Sequence, residues 1–296
     1  MTEVSNVRAF FERDVSIENL YIPTVFAKGP WDPTTLHGRV ISGLIAHEAE
    51  SVIMSGNEAD TVDFQVARVT VDLFRVARMK PLRTKFEIIR SGRRIKVIDV
   101  SVLIDETNGT VTEIARGTVV FLKKTSEPKG VVWSPPDWDL IPPDDDLHIQ
   151  ESQSSGKYSP VWETIYVGDH SKLIPIKDRL VNENEAIIGQ RRVWIRETHD
   201  FVFKEEASPI VRLAQVADYA NPLANWSTEG LQYINADISL YVHRVPVGKW
   251  IGAEASYHGS QNGISVGSIS LYDKLGKIGT STVTGLSQMR TVPESK

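Results

Sequence analysis

Cysteine is missing from all 296 residues, which removes disulfides, thiolate nucleophiles and cysteine-ligated metals together. Long apolar runs are missing too. None approaches the roughly 18 residues that a membrane span requires, and the opening MTEVSNVRAFFERD has neither the basic region nor the apolar core of a secretory signal. These absences predict a cytoplasmic protein with no membrane partner. Neither a Walker loop nor a dinucleotide-type glycine fingerprint occurs, so phosphate cradling by a glycine loop has no support. His47-Glu48-Ala49-Glu50 lacks the second histidine of a zinc-protease helix, and the seven histidines never fall at ligand spacing. No metal and no cofactor is expected. Net charge is -5, and the basic residues come in short clusters such as Arg93-Arg94 and Arg191-Arg192, so nucleic acid is not an expected partner.

What is present is ordinary globular material, 41% hydrophobic and 24% charged, able to bury sizeable cores. The length predicts two of them. From His37 to Met54, HGRVISGLIAHEAESVIM places Val40, Ile41, Leu44, Ile45, Val52 and Ile53 at helical spacing. Ser42, Gly43, Ala46 and Ala49 leave another face thin, which would let the helix sit close against a sheet. From Val66 to Lys124 the period changes to four runs rich in Val, Ile, Thr and Phe, divided by Ser91-Gly92 and Asn108-Gly109. This reads as an antiparallel meander. Ser126 to Pro160 then carries six prolines, the Asp144 to Asp146 run and a polar ESQSSGK stretch. Such a segment cannot continue a ladder and reads as a linker, with Trp133 and Trp138 expected to hold it against a core.

The second half repeats the first. Ala186 to Arg196 reads as a strand, and Ser208-Pro209 is an N-cap and first-turn pair opening an almost wholly apolar helix over Ala207 to Leu223. Four strand-like runs follow, divided by Gly259 to Gly263 and by Asp273 to Gly276. The offset is nearly constant: Phe74-Arg75 matches His243-Arg244, Asp105 with Gly109 matches Asp273 with Gly276, and Gly38 falls opposite Ala207. A helix followed by an antiparallel sheet, twice, is an internal duplication. The predicted fold class is α+β, two tandem domains over residues 1–125 and 161–296 joined by the linker at 126–160, each a curved sheet wrapped round a long hydrophobic helix.

Two patterns bear on chemistry. Gly263-Ile264-Ser265-Val266-Gly267 has the letters of a serine-hydrolase elbow, but the alternation of Ile264, Val266, Ser268 and Ser270 predicts a strand where an elbow needs a strand, a turn and a helix. Asp218 is the one carboxylate of the apolar second helix, sharing a face with Val211, Ala214 and Gln215. A buried carboxylate is costly unless paired, hydrogen-bonded or in use. Asn235 and Asp237, at the start of the next strand, could hold a water beside it, an arrangement suited to general-base hydrolysis. Structure and catalysis both remain open for Asp218 on these residues alone. In the first repeat the matching position is near Ala49, and Glu48 and Glu50 are expected to be solvated or to cap.

The order HGRVISGLIAHEAES, VDLFR, RSGRR, VADYANPL, NADISLYVHRVPVGKW and LYDKLGKIGTSTV resembles the TesB-like acyl-CoA thioesterases, whose chain is two fused hotdog domains. The resemblance spans both halves and leaves out mainly the linker. It implies hydrolysis of fatty acyl-CoA without metal or cofactor, within fatty acid metabolism, by an aspartate, a threonine or serine and a glutamine. The aspartate falls on Asp218 and the hydroxyl residue on Asn235. The glutamine falls on Thr284, or on Val283 if the alignment slips by one, and Gln288 lies roughly 13 Å further along a strand. Substrate contacts are expected from Gly38, Arg39, Tyr219, Asp237 and Val283. The missing glutamine keeps open a non-catalytic acyl-CoA or acyl-ligand binder on the same fold. A further alternative is a MaoC-like enoyl-CoA hydratase, similar at Asp218-Tyr219-Ala220-Asn221-Pro222-Leu223 but with Ala224 where that family has histidine. A homo-oligomer is plausible for edge-pairing hotdog sheets.

Overall fold

The computed structural model of the chain describes residues 8–29, 32, 34–56, 63–136, 138, 141–147, 162–168, 172–175, 190–227 and 230–288. In the first half, strands β1 (Ala9–Arg13) and β2 (Leu20–Pro23) precede helix α1 (Gly38–Met54). Four long strands follow: β3 (Phe64–Leu73), β4 (Leu82–Ser91), β5 (Ile95–Asp105) and β6 (Val111–Lys123). In the second half, β7 (Trp162–Gly168), β8 (Lys172–Pro175), β9 (Arg192–Glu197) and β10 (Asp200–Val202) precede helices α2 (Pro209–Ala217) and α3 (Ala220–Asn225). The short strands β11 (Trp226–Ser227), β12 (Gly230–Leu231) and β13 (Tyr233–Asn235) lead into β14 (Asp237–Val242), β15 (Trp250–Gln261), β16 (Ile264–Asp273) and β17 (Gly276–Ser287).

The repeat is real, but its pairing is not a plain meander. β4, β5 and β6 are consecutive antiparallel neighbours, and β3 closes on the far side of β6. β15, β16 and β17 are joined by β14 in the same way. β3 and β14 then pair antiparallel, from Asp237 opposite Asp72 to Tyr241 opposite Arg68, so the two halves share one 15-stranded sheet. The β15–β16 hairpin turns on Asn262 and Gly263, with φ of 52° and 78°, the left-handed pair that a two-residue hairpin favours. Gly259, expected in that turn, lies inside β15.

The two helices do not sit in separate cores. The main apolar cluster is continuous from Val40, Leu44 and Ile45 of α1 to Val211, Leu213 and Ala214 of α2. The reason lies on the thin face of α1, which at Gly43 meets α2 and β10, an edge strand of the sheet. A Cβ at Gly43 would stand 2.6 Å from Phe201 Cε2 and 2.9 Å from Gln215 Cγ, so a side chain there would force the helices apart. A buried ion pair reinforces this seam: Arg39 of α1 donates to Glu197 of β9 at 2.5 Å, with side chains 0% and 5% exposed. Burial pulls the Arg39 guanidinium down to about 10 and pushes the Glu197 carboxyl up.

Glu48 is not solvated, and Glu50 is half-buried. Glu48 is buried on α1 and accepts hydrogen bonds from the Tyr21 hydroxyl and from Thr84 Oγ1, the latter at 2.8 Å. Burial, with the Glu48 charge next, pushes the Tyr21 phenol far up, so it stays a donor. Glu50 accepts from the Oγ of Ser208, the N-cap of α2, and burial pushes its carboxyl up.

The linker divides its two tryptophans. Trp138 stacks on Trp194 at 5.1 Å and 13°, whereas Trp133 is 83% exposed, against the expectation that both hold the linker down. The aspartate run does more. The Asp144 carbonyl accepts from Trp250 Nε1 at 3.0 Å, and Asp145 Oδ1 accepts from the Lys249 amide at 2.7 Å. The ESQSSGK stretch, Pro160 and the first four residues of the strand expected from Ala186 lie outside the described residues.

Between β14 and β15, Arg244 grips Asp273 with both terminal nitrogens, Nη2 to Oδ1 at 2.7 Å, while the Val247 and Leu275 amides donate to the same carboxylate. Burial pushes Asp273 up, but these bonds and the Arg244 charge outweigh it and hold the carboxyl below its ordinary value.

Replacing Glu48 by Leu strands two buried hydroxyls and should lower the unfolding free energy by about 3 kcal/mol in urea titration, with Tyr21→Phe costing about 1 kcal/mol. A depressed folded pKa at Asp273 means its stabilisation is complete above about pH 4 and is lost as pH falls through the lower folded value. Stability measured between pH 2 and 5 should therefore fall less steeply in Arg244→Ala than in the unsubstituted protein.

Candidate active site

The apolar second helix does not run unbroken from Ala207 to Leu223; it breaks at Asp218 and Tyr219. Pro222 explains the place. It has no N–H to donate to the carbonyl four residues earlier, which belongs to Asp218, and its ring crowds that carbonyl. The Tyr219 amide turns back to Val216 O at 2.9 Å, and the Asn221 amide takes Asp218 O at 3.2 Å. Asp218 is thereby the C-cap of α2, its backbone still helical at φ -64° and ψ -20°, and its side chain lies in the seam between the halves.

There it meets both halves. Asp218 is 5% exposed; its Oδ1 accepts from Asn235 Nδ2 at 2.8 Å, and its Oδ2 lies 3.1 Å from Nδ1 of His37. His37 is the N-cap of α1, so the carboxylate faces the positive end of that helix. A Cβ at Gly38 would stand 3.0 Å from Asp218 Oδ1 and 3.3 Å from Oδ2; glycine lets the carboxylate approach the helix end. The His37 Nδ1 also lies 3.2 Å from the Arg39 amide. One nitrogen cannot do both in one protonation state: bare, it caps the Arg39 N–H, and protonated, it donates to Asp218.

Asn235 is held in turn. Asn221 Nδ2 donates to the Tyr233 carbonyl at 2.9 Å and to Asn235 Oδ1 at 3.4 Å, which leaves the Asn235 amino group facing Asp218. Asn225 Nδ2 donates to Asn221 Oδ1 at 3.0 Å, and His258 Nδ1 lies 2.8 Å from Asn225 Oδ1. A polar chain thus runs from β15 through α3 to the Asp218 carboxylate.

The structure brings together only part of the predicted set. Asn235 and Gly38 stand beside Asp218. Thr284 does not: its amide and hydroxyl both donate to Asp237 Oδ1, at 2.6 and 2.5 Å, so these two expected site residues are spent on each other. The pleat of β17 is the cause, since alternate residues face opposite sides. Thr284 is exposed, and Val283 is fully buried on the same side as Ser281, whose hydroxyl donates to the Ala217 carbonyl at 2.8 Å. Tyr219 is half-buried against the main core. Arg39, expected to touch substrate, is a correction: it is 0% exposed, paired with Glu197, and lies 4.5 Å from the Phe10 ring centroid. Ser265 continues the β16 ladder opposite Gly285 and is fully buried, so no nucleophile elbow forms.

Sequence reading missed His37, Asn221, Asn225 and His258. The helical spacing takes His37 as the first helical residue, but it is the N-cap, and Asn221 precedes the helix-breaking proline. Nothing in the spacing marks Asn225 or His258. Gln215, one turn before Asp218, is 1% exposed, and neither end of its amide has a hydrogen-bond partner among the described residues. Among those residues no cluster of three or more histidines and carboxylates could hold a metal, and no helix is long and apolar enough to cross a membrane.

Comparison with known proteins bears on both halves. Residues 27–122 match the family model described as "Acyl-CoA thioesterase N-terminal domain", and residues 153–286 the one described as "Acyl-CoA thioesterase C-terminal domain". No curated protein matches the sequence. Among solved structures, a hot dog fold protein of unknown function from Alicyclobacillus acidocaldarius is similar with a TM-score of 0.63 at 13% identity, covering 94% of this chain and 95% of that one. The acyl-CoA thioesterase II TesB2 of Mycobacterium marinum gives 0.58 at 17% identity over 94% and 95%. A tesB protein of Mycobacterium avium subs. paratuberculosis gives 0.59 at 14% identity over 94% and 96%. At such identities the structural likeness speaks to fold, and the fold is α+β, a double hotdog. The two family models are matched in order across both halves, and the chain belongs to the acyl-CoA thioesterase family that they describe.

Proposed function

We propose that this chain hydrolyses acyl-CoA thioesters, with Asp218 as the general base, and that the repeats divide as hotdog domains 1–125 and 161–296 around the linker at 126–160. The observation that carries the mechanism is the buried Asp218 carboxylate bracketed by Asn235 and His37 at the end of α1. Asp218 takes a proton from a water, and the oxygen attacks the thioester carbonyl. The positive end of α1 favours the oxyanion that develops. Collapse breaks the C–S bond, the proton held on Asp218 passes to the departing thiolate, and the carboxylic acid and free CoA leave. Asn235 fixes the carboxylate by its N–H, and the Asn221 bond to its Oδ1 keeps that amide the right way round. With a proton on Nδ1, His37 occupies the second oxygen and so limits which lone pairs of Asp218 can meet the water.

A glutamine on the last strand would add a two-ended amide, and Thr284 is committed to Asp237 instead. That commitment favours, as the second reading, a protein that binds acyl-CoA without cleaving it. The two readings separate in one experiment. Purified protein is incubated with acyl-CoAs of graded chain length and a thiol dye, and acyl-CoA binding is measured in parallel by calorimetry. The hydrolase reading expects kcat to fall on the order of a thousandfold in Asp218→Asn and about a hundredfold in Asn235→Ala, with folding intact. Thiol release no faster than that of Asp218→Ala, alongside saturable binding, would establish the binder and end the hydrolase reading.

A further inference from the structure

The internal repeat makes the same arginine do two different things. In the second copy, Arg244 follows β14 and is locked to Asp273 at the end of β16. In the first copy the matching pair is Arg75, following β3, and Asp105, at the end of β5. Asp105 is instead taken by Arg83 of β4. Among the described residues Arg75 makes no side-chain hydrogen bond or ion pair, and it is exposed.

The loop that carries Arg75 is clamped at both ends to the candidate site. At one end the Leu73 amide donates to the Ala236 carbonyl at 2.8 Å, next to Asn235. At the other the Leu36 amide donates to the Ala77 carbonyl at 2.8 Å, next to His37. Between the clamps Phe74, Arg75 and Val76 stand 51% exposed, exposed and 62% exposed. Behind them lies a cleft lined by Arg75, Val76, Arg78, Lys80, Glu106 and Ile114, three cations against one carboxylate. Lys80 holds Glu106 at 2.9 Å, and with Asp32 also near Arg78 the three cations exceed the carboxylates by one. Arg78 makes no hydrogen bond with Glu106 or with Asp32, the two carboxylates near it. The cleft therefore carries net positive charge, beside a loop pinned next to Asn235 and His37.

We propose that Arg75 and Arg78 receive the phosphate groups of the coenzyme A portion of the substrate, with Phe74 and Val76 giving an apolar rest to the rest of that group. The proposal rests on the acyl-CoA reading above. Guanidinium suits the task because its fork matches phosphate oxygens two at a time. The pantetheine arm, comparable in reach to about four extended residues or roughly 13 Å, would bridge from the thioester at Asp218 to a loop whose ends are hydrogen-bonded to Leu36 and Ala236, the neighbours of His37 and Asn235.

Two measurements keep this proposal separate from the hydrolase reading. Calorimetry with CoA and with pantetheine needs no turnover: CoA should bind about tenfold more weakly to Arg75→Glu/Arg78→Ala than to the unsubstituted protein, with pantetheine changed less than about twofold on the same scale. Arg93→Ala, an exposed arginine on the β4–β5 turn, serves as the charge control and should leave CoA affinity as it was. If the protein turns over thioesters, KM for acyl-CoA should rise about tenfold in the double variant while kcat stays, and KM for the matching acyl-pantetheine should not follow. CoA affinity equal in the double variant and the unsubstituted protein, an equal loss for pantetheine, an equal loss in Arg93→Ala, or no CoA binding at all would each overturn it.

Discussion

Pro222 cannot bond to the carbonyl of Asp218, and the candidate site follows from that single failed helical hydrogen bond. Because the helical bonding lapses there, Asp218 is a cap, and its carboxylate stands in the seam where α1 begins. The same break starts α3, whose Asn221 and Asn225 then support Asn235 from behind. One imino acid thus sets both the carboxylate and the amides that orient it.

The seam is as consequential as the break. Each half contributes what the other lacks: the second half brings Asp218 and Asn235, and the first brings His37 and the glycine that permits close approach. Neither half would form this site alone, and the interactions that hold the halves together are correspondingly strong. They share a sheet through β3 and β14, a main core through α1 and α2, and a buried pair through Arg39 and Glu197. Removing one partner of such a pair would leave an uncompensated buried charge, at a cost of roughly 3 to 5 kcal/mol. Arg39, one residue from Gly38, is therefore part of the site's frame and not of its ligand surface.

Duplication gave two copies of one plan and then let their polar residues diverge. The helix of the first copy carries Glu48, buried against Tyr21 and Thr84 with its hydrogen bonds satisfied. The helix of the second carries Asp218, which reaches the seam. The arginines diverge in the opposite sense: Arg244 is locked in the second copy, while Arg75 is released in the first, on the loop beside the seam. Each copy has kept for structure what the other has turned toward the site.

Hydrophobic periodicity, turn residues and the constant offset were enough to read two helices, eight long strands and their duplication, because those features are local and recur at fixed spacing. Asp218 stood out for the same reason, a charge in an apolar repeat, and Asn235 lay close enough in sequence to be paired with it. The rest was decided in three dimensions. Nothing local tells that β3 passes β4 to join β6, that α1 would press its thin face on α2, or that His37, 181 residues before Asp218, would stand beside it. Thr284 was assigned by position in a motif, but the pleat of β17 turned it to Asp237, since one residue along a strand reverses the face. Local chemistry named the carboxylate; only the closure of the two halves chose its partners.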